Sequence, residues 1–255
     1  EIFPFTLAYF TGSKEHNIVM RQRAIDRGLR LSEFGLIPES EAGDLKGMAA
    51  AHLSLPAVDE AEIYRHLELD WVPPELREDT GEISAAGEEA LPRLIVPTDV
   101  KGALHNHTTL SDGDATLEQM ADAARNIGWN WLGIADHSPT LKVANGASAE
   151  DLLAQGRQIK QYNESWSNEG VDFRLFHGVE SDILEGGRLD HPDDVLGELD
   201  YVVASVHAMT KWKNRDEVTN TEELIRCIDH PATTVLGHPT GRILQGRDGY
   251  EVDMF

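Results

Sequence analysis

Residues 102–114 read GALHNHTTLSDGD, and how this stretch is understood decides the fold. Its first four residues have the apolar character of a short strand. Two histidines one residue apart, His105 and His107, stand where that strand runs out, and Asp112 follows in a Ser-Asp-Gly turn. Side chains at i and i+2 point to the same side of a strand, so the spacing predicts that His105 and His107 grip one ion together. Asp112 then lies within reach of a neighbouring ion. A single His-x-His pair is weak evidence in a chain with 11 histidines, so the surrounding sequence has to decide.

Outward from this stretch the texture is a repeated alternation of strand and helix. Candidate strands are GALH at 102, WLGIAD at 131, FRLFHGVE at 173, YVVASVH at 201 and TTVLGH at 233. Between them run helical patterns, TLEQMADAARNIG opened by Thr116 with Gln119 three residues on, and SAEDLLAQGRQIKQYNES opened by Ser148. Such alternation predicts an α/β fold with parallel strands and crossover helices, a wound sheet or a barrel. Five units are visible, and a closed barrel needs more.

Each candidate strand ends in a metal-ligand type of residue: His105 and His107, His137, Glu180, His207 and His238. The C-terminal ends of parallel strands converge on one face, and that face carries the active site of such folds. The repetition makes a shared metal site the better reading, although a lone histidine such as His137 is more often an ordinary, partly buried residue. His16, His52, His66, His177, His191 and His230 lack this placement and read as core or surface residues. Imidazole and carboxylate donors suit Zn²⁺, Mn²⁺ or Fe better than Ca²⁺ or Mg²⁺ alone. Seven candidate ligands exceed what one tetrahedral ion takes, so two or three ions are expected, with Glu180 suited to bridge. Phosphoester hydrolysis is the chemistry such a cluster supports. The one cysteine, Cys227, excludes an internal disulfide and a cysteine-rich zinc module, and its setting reads as the buried side of a helix.

The 255 residues carry a net charge of −23, with 15 arginines but only 7 lysines. So acidic a chain repels a nucleic-acid duplex unless a local basic patch intervenes, and the balance suggests a source living in high salt. No apolar run is long enough to cross a bilayer and no signal-like start is present, so the expectation is a soluble, cytoplasmic protein without a membrane partner. The chain starts at Glu1 and ends at Phe255 in what reads as the opening of another element, which predicts a piece of a longer polypeptide. Nearer the start, KEHNIVMRQRAIDRG from Ser13 reads as a helix closed by Gly28, LRLSEFGLI as a strand, and EAEIYRHLEL as a helix. Two prolines within 81–98 suggest a linker, giving units at 1–80 and 99–255.

In order and spacing, HNHTTLSDGD, IADHS, HGVESDIL, DYVVASVH and LGHPTGR resemble the motifs of the PHP (polymerase and histidinol phosphatase) domain. The likeness is to the version at the C-terminus of bacterial and archaeal family X DNA polymerases. It implies a distorted (βα)7-type barrel, truncated here at its C-terminus, with a trinuclear centre. The implied ligands are His105, His107, Asp112, His137, Glu180, His207 and His238, with Glu180, Asp112 and His137 nearest the chemistry. The family's late Asp-x-His pair does not occur before Phe255, and Ala103 stands where the family commonly has Asp.

LAYFTGSKEHNIVMRQRA similarly resembles the thumb subdomain of family X polymerases, and WVPPELRED resembles its end. By that likeness Tyr9, Phe10 and Gly12 contact the sugar and base of an incoming dNTP, while Asn17 and Arg21, i and i+4 on one helix face, touch the minor groove. The palm aspartates that hold the polymerase Mg²⁺ pair are not in this sequence. The resemblance implies gap filling in base-excision repair by the full protein, and Mn²⁺-favoured 3′ to 5′ exonuclease or 3′-end phosphoesterase action by the PHP domain. Lys142, Lys211, Lys213, Arg215 and Arg242, read as loop residues following ligand-bearing strands, are expected to touch the DNA backbone. Two rivals remain: a small-molecule phosphatase of the histidinol-phosphate type using the same centre, and a non-catalytic PHP domain that stiffens a polymerase.

Overall fold

Short apolar runs separated by capped helices build this chain, and a computed structural model describes residues 2–254 of it. Glu1 and Phe255, with which the expected units begin and end, lie outside the described residues. The chain divides into two units, Glu1–Leu94 and Ile95–Phe255.

In the first unit α1 (Phe3–Thr11) and α2 (Lys14–Ile25) are separated by Gly12 and Ser13. Ser13 caps α2 by accepting from the His16 amide, and Gly28, at φ +70°, ends the segment as its sequence position predicts. The LRLSEFGLI stretch is a hairpin rather than one strand: β1 (Leu29–Ser32) pairs antiparallel with β2 (Gly35–Pro38). Glu33 and Phe34 form the two-residue turn, a pair without the Asn-Gly or Asp-Gly signature that announces such a turn. Then come α3 (Glu39–Ala42), α4 (Glu60–His66) and α5 (Glu82–Gly87). Phe5, Met20, Ala24, Leu36, Ile63, Tyr64 and Leu67 form the core, and Ile83 and Ala86 of α5 join it. Residues 82–87, read as the start of a linker, are therefore part of this unit, because both prolines of that segment lie beyond the apolar face of α5.

The second unit contains β3 (Gly102–Asn106), α6 (Leu117–Asn126), β4 (Trp131–His137), α7 (Ala149–Asn168), β5 (Arg174–Asp182), α8 (Asp193–Leu196), β6 (Tyr201–Ser205), α9 (Met209–Lys213), α10 (Glu217–Ile228) and β7 (Val235–Gly237). The five strands pair in parallel in the order β3-β4-β5-β6-β7, a curled half-barrel of the α/β class with helices between successive strands. Thr116 and Gln119 form the expected capping box at α6, and Ser148 caps α7.

Period-two alternation gives the sheet two distinct faces. Leu132 and Ile134 of β4 and Leu175 of β5 pack against Leu117, Ala121 and Ala124 of α6 and Ile159 and Trp166 of α7. Val179, Val202 and Ala204 pack with Leu152 of α7 and with Leu224 and Cys227 of α10, so Cys227 is buried as expected. Each buried Val, Leu or Ile among them contributes about 1.5–3 kcal/mol. On the opposite face Tyr201 lies across the sheet. A Cβ at Gly133 would come 2.7 Å from its hydroxyl and one at Gly178 2.5 Å from its ring, so both positions require glycine. The register sets His137 directly beside Glu180, and Glu180 beside Val203. No helix among the described residues is long and apolar enough to cross a membrane.

Candidate metal centre

The alternation that sends Leu132 and Ile134 to the helix side sends His137 and Glu180 to the other face at the C-terminal end of the sheet. Glu180 is only 2% exposed and sits at the middle of a histidine cage. Its Oε2 lies 2.9 Å from His137 Nδ1, 3.1 Å from His105 Nε2 and 3.4 Å from His107 Nε2. Its Oε1 lies 3.0 Å from His238 Nε2 and 3.4 Å from His207 Nε2. Asp112 closes one side, with Oδ1 3.2 Å from His107 Nδ1 and Oδ2 3.5 Å from His137 Nε2. All seven expected ligands thus meet in one place.

The route by which they meet differs in two respects from simple strand alternation. His105 has φ +64°, and the pairing of β3 with β4 shifts register between Ala103 and Asn106. This bulge, and not plain i/i+2 geometry, brings both rings of the His-x-His pair to Glu180; His107 already lies past the strand. The His105 amide donates to the Tyr201 hydroxyl at 3.2 Å, which fixes the bulged backbone from the sheet's inner face. His207 and His238 likewise follow the ends of β6 and β7, and His238 also has a positive φ, +26°. The positive φ of these two cage histidines, neither of them glycine, marks stored strain at the site.

The electrostatics follow from the packing. Burial pushes the Glu180 carboxyl upward, but the imidazoles of His105, His137, His207 and His238 packed around it outweigh that effect and hold the group far below the usual carboxylate range. Burial opposes charge on His207 too, yet Asp182, 3.0 Å from its Nδ1, and Glu180 raise it to about 9. Burial, followed by the neighbouring His137, lowers His107.

The donor set fits a cluster of cations. Nδ1 of His107 and Nδ1 of His137 are buried without a hydrogen bond, although carboxylate oxygens lie beside them. Lone pairs that converge on shared space without bonding one another are satisfied by a cation between them. Three groups of ligand atoms lie close enough to hold an ion: His105, His107 and Glu180; His107, Asp112 and His137; and His137, Glu180 and His207. Because they share members, they describe a multinuclear site of imidazole and carboxylate.

Two residues of the site went unread in the sequence. Asp182 lies two residues after Glu180, on the same face, and orients His207; the spacing rule applied to His105 and His107 could have found it. Asp136, next to His137, faces the helix side and is fully buried.

The cationic candidates separate. Lys142, Lys213 and Arg242 are exposed. Lys211 is exposed and lies 3.4 Å from Glu185. Lys211 and Lys213 are on the short helix α9 and not in a loop. Arg215 is turned inward: its guanidinium pairs with Glu223 at 2.6 Å and lies over the Trp212 ring. In the first unit Phe10 is 74% exposed and packs edge-on to Tyr9. Asn17 donates to the Tyr9 carbonyl, and Arg21 is exposed one turn further along α2. A Cβ at Gly12 would press on His16 and the Ala8 carbonyl at 3.2 and 3.4 Å, so the turn is tight. His16 is a core residue: Nδ1 donates to Glu82 at 2.7 Å and Nε2 accepts from the Tyr64 hydroxyl at 3.0 Å.

The PHP domain family matches residues 103–251, and the DNA polymerase beta thumb family matches residues 6–78. Over 254 residues the chain is 41% identical to the DNA polymerase/3'-5' exonuclease PolX of Bacillus subtilis (strain 168), which covers 100% of this chain and 41% of that protein. It is 33% identical over 144 residues to a probable phosphatase of Thermoanaerobacter sp. (strain X514), 55% of each chain. It is 32% identical over 150 residues to one of Caldanaerobacter subterraneus subsp. tengcongensis, 58% of this chain and 52% of that one. The chain thus spans between 41% and 55% of the length of these relatives.

Proposed function

The chain belongs to the PHP domain family, and from that premise we propose that its second unit hydrolyses phosphoesters at DNA 3′ ends within a longer family X DNA polymerase that fills repair gaps. The observation that carries this reading is the convergence of five imidazoles and Asp112 around the buried Glu180. His105, His107, Asp112, His137, Glu180, His207 and His238 are assigned as ligands of two or three Mn²⁺ or Zn²⁺ ions. Bound divalent cations would supply an activated water and neutralise the phosphate.

The chain's own residues do the rest. Glu180 would be shared between two of the three candidate ion positions, and His207 is oriented by Asp182. Exposed Lys142, Lys211, Lys213 and Arg242 are assigned to the DNA backbone; Arg215, paired with Glu223, would join them only by giving up that bond. In the first unit, assigned as the thumb, Tyr9, Phe10 and Gly12 would meet an incoming dNTP, and Asn17 and Arg21 the minor groove. The polymerase Mg²⁺ pair would sit in another part of the polypeptide, and the protein would work in the cytoplasm.

A second reading, hydrolysis of a small phosphomonoester, is favoured by the likeness of residues in the second unit to probable phosphatases. The thumb match at residues 6–78 favours DNA. Mn²⁺-loaded intact polypeptide should shorten a DNA 3′ end faster than it hydrolyses histidinol phosphate. Glu180→Gln, which keeps shape and removes charge, should lower that rate by more than the roughly 10–100-fold that loss of an outer-shell partner costs. Nuclease activity intact in Glu180→Gln would end the proposal.

A further inference from the structure

Asp136 is a carboxylate with 0% exposure, and no cation pairs with it among the described residues. Both its oxygens are instead fully used as acceptors. Oδ1 takes the Thr108 amide at 2.7 Å and the Ser111 hydroxyl at 2.6 Å; Oδ2 takes the Thr108 hydroxyl at 2.8 Å and Gln155 Nε2 of α7 at 2.7 Å. Strand alternation explains the arrangement: His137 faces the cage, so Asp136 must face the helices, where the turn after His107 and helix α7 both reach it.

That turn is tightly wound. The Ser111 and Gly113 amides both donate to the Thr108 carbonyl, and a Cβ at Gly113 would lie 2.5 Å from the His107 carbonyl oxygen. Asp112 sits between the two residues so fixed. Its side chain is 47% exposed, so burial does not hold it, yet it reaches His107 and His137. The fastening therefore comes from its neighbours, and theirs from Asp136.

We propose that Asp136 is a positioning residue that holds the Thr108–Gly113 turn so that Asp112 completes the ion position it shares with His107 and His137. The inference rests on the metal centre proposed above. Removing Asp136 leaves the turn's donors facing an apolar methyl and frees Asp112, while Glu180, His207 and His238 keep their own supports. Asp136→Asn is the conservative variant: if Gln155 turns its amide to present Oε1, which is buried and without a partner, the network can be rebuilt.

The test is titration of the metal-free intact chain with Mn²⁺ alone, followed by calorimetry and by the electron-paramagnetic-resonance signal of free Mn²⁺. Asp136→Ala should bind one ion roughly 10–100-fold more weakly and the others as before, and Asp136→Asn should recover most of that loss. Because Asp136 acts through Asp112, the Asp112→Ala/Asp136→Ala double variant should bind no worse than Asp112→Ala. If Asp136→Ala does not fold, Ser111→Ala with Thr108→Val removes both hydroxyl bonds to Asp136, leaves only the Thr108 amide on the loop side, and should weaken the same ion by a smaller factor. Unchanged Mn²⁺ binding in Asp136→Ala, uniform weakening of every ion, or additive losses in the double variant would each overturn the inference and leave the metal centre standing. No Mn²⁺ binding by the unaltered chain would remove both.

Discussion

His16 illustrates what one side chain shows when its partners are known. Nδ1 faces a carboxylate, which only accepts, so it carries the proton; Nε2 then accepts from Tyr64. Burial lowers His16 below the usual histidine range. Burial pushes Glu82 the other way, but the bond from His16 and backbone amides leave it below the usual carboxylate range. The signs agree. A neutral folded His16 loses stability as pH falls below about 6.5, where the unfolded chain takes a proton; a depressed Glu82 adds further loss once pH drops below about 4.5. The first unit should therefore melt at a constant temperature above neutrality and at falling temperatures through the acid range. Calorimetry from pH 8 to 4 checks this, and a midpoint that rises on acidification would contradict it. In sequence, His16 was legible only as an ordinary histidine, because both partners lie far along the chain. Glu180 was legible as a strand-end acid; the left-handed backbone at His105 was not, because nothing at that position signals a bulge.

At the scale of elements, the reading succeeded where local rules suffice. Thr116 with Gln119, and Ser148 before α7, are caps whose signals lie within one turn, and all five parallel strands were found from apolar runs. It failed where pairing or packing decides: β1 and β2 were one strand in sequence, and α5 was linker. The segment after β4 shows how tightly such connections are built. A Cβ at Gly146 would lie 1.8 Å from the Ser138 carbonyl oxygen, backbone against backbone. Gly146→Ala should therefore cost about 1–3 kcal/mol by overpacking and displace the segment that carries Lys142. Urea denaturation measures the loss; an unchanged midpoint would mean that the two chain segments separate freely.

For the whole molecule, charge and metal act on different properties. Mn²⁺ at 100 times its dissociation constant should raise the stability of the second unit by about 2.7 kcal/mol for each ion bound, visible as a higher melting temperature that chelator reverses. The proposed DNA affinity would depend instead on a few exposed cations against a net charge of −23. Arg242→Ala should weaken DNA binding, reduce the salt dependence of log affinity by about one unit, and leave Mn²⁺ content alone. Equal affinity in the variant, read by fluorescence anisotropy across a salt series, would clear Arg242 of any such part.

The strands that supply the cage enter the sheet from β3 to β7, from His105 to His238, so every residue up to His238 must be synthesised before the cage exists. On a ribosome, the His105–His107–Asp112 segment emerges first and offers a nascent chain only a loose, local grip on a cation. Glu180 emerges with β5, and His207 and His238 only after β6 and β7. A metal bound by this cage would therefore enter a scaffold already shaped by apolar burial, and its loading would act as a late checkpoint rather than as a seed for folding.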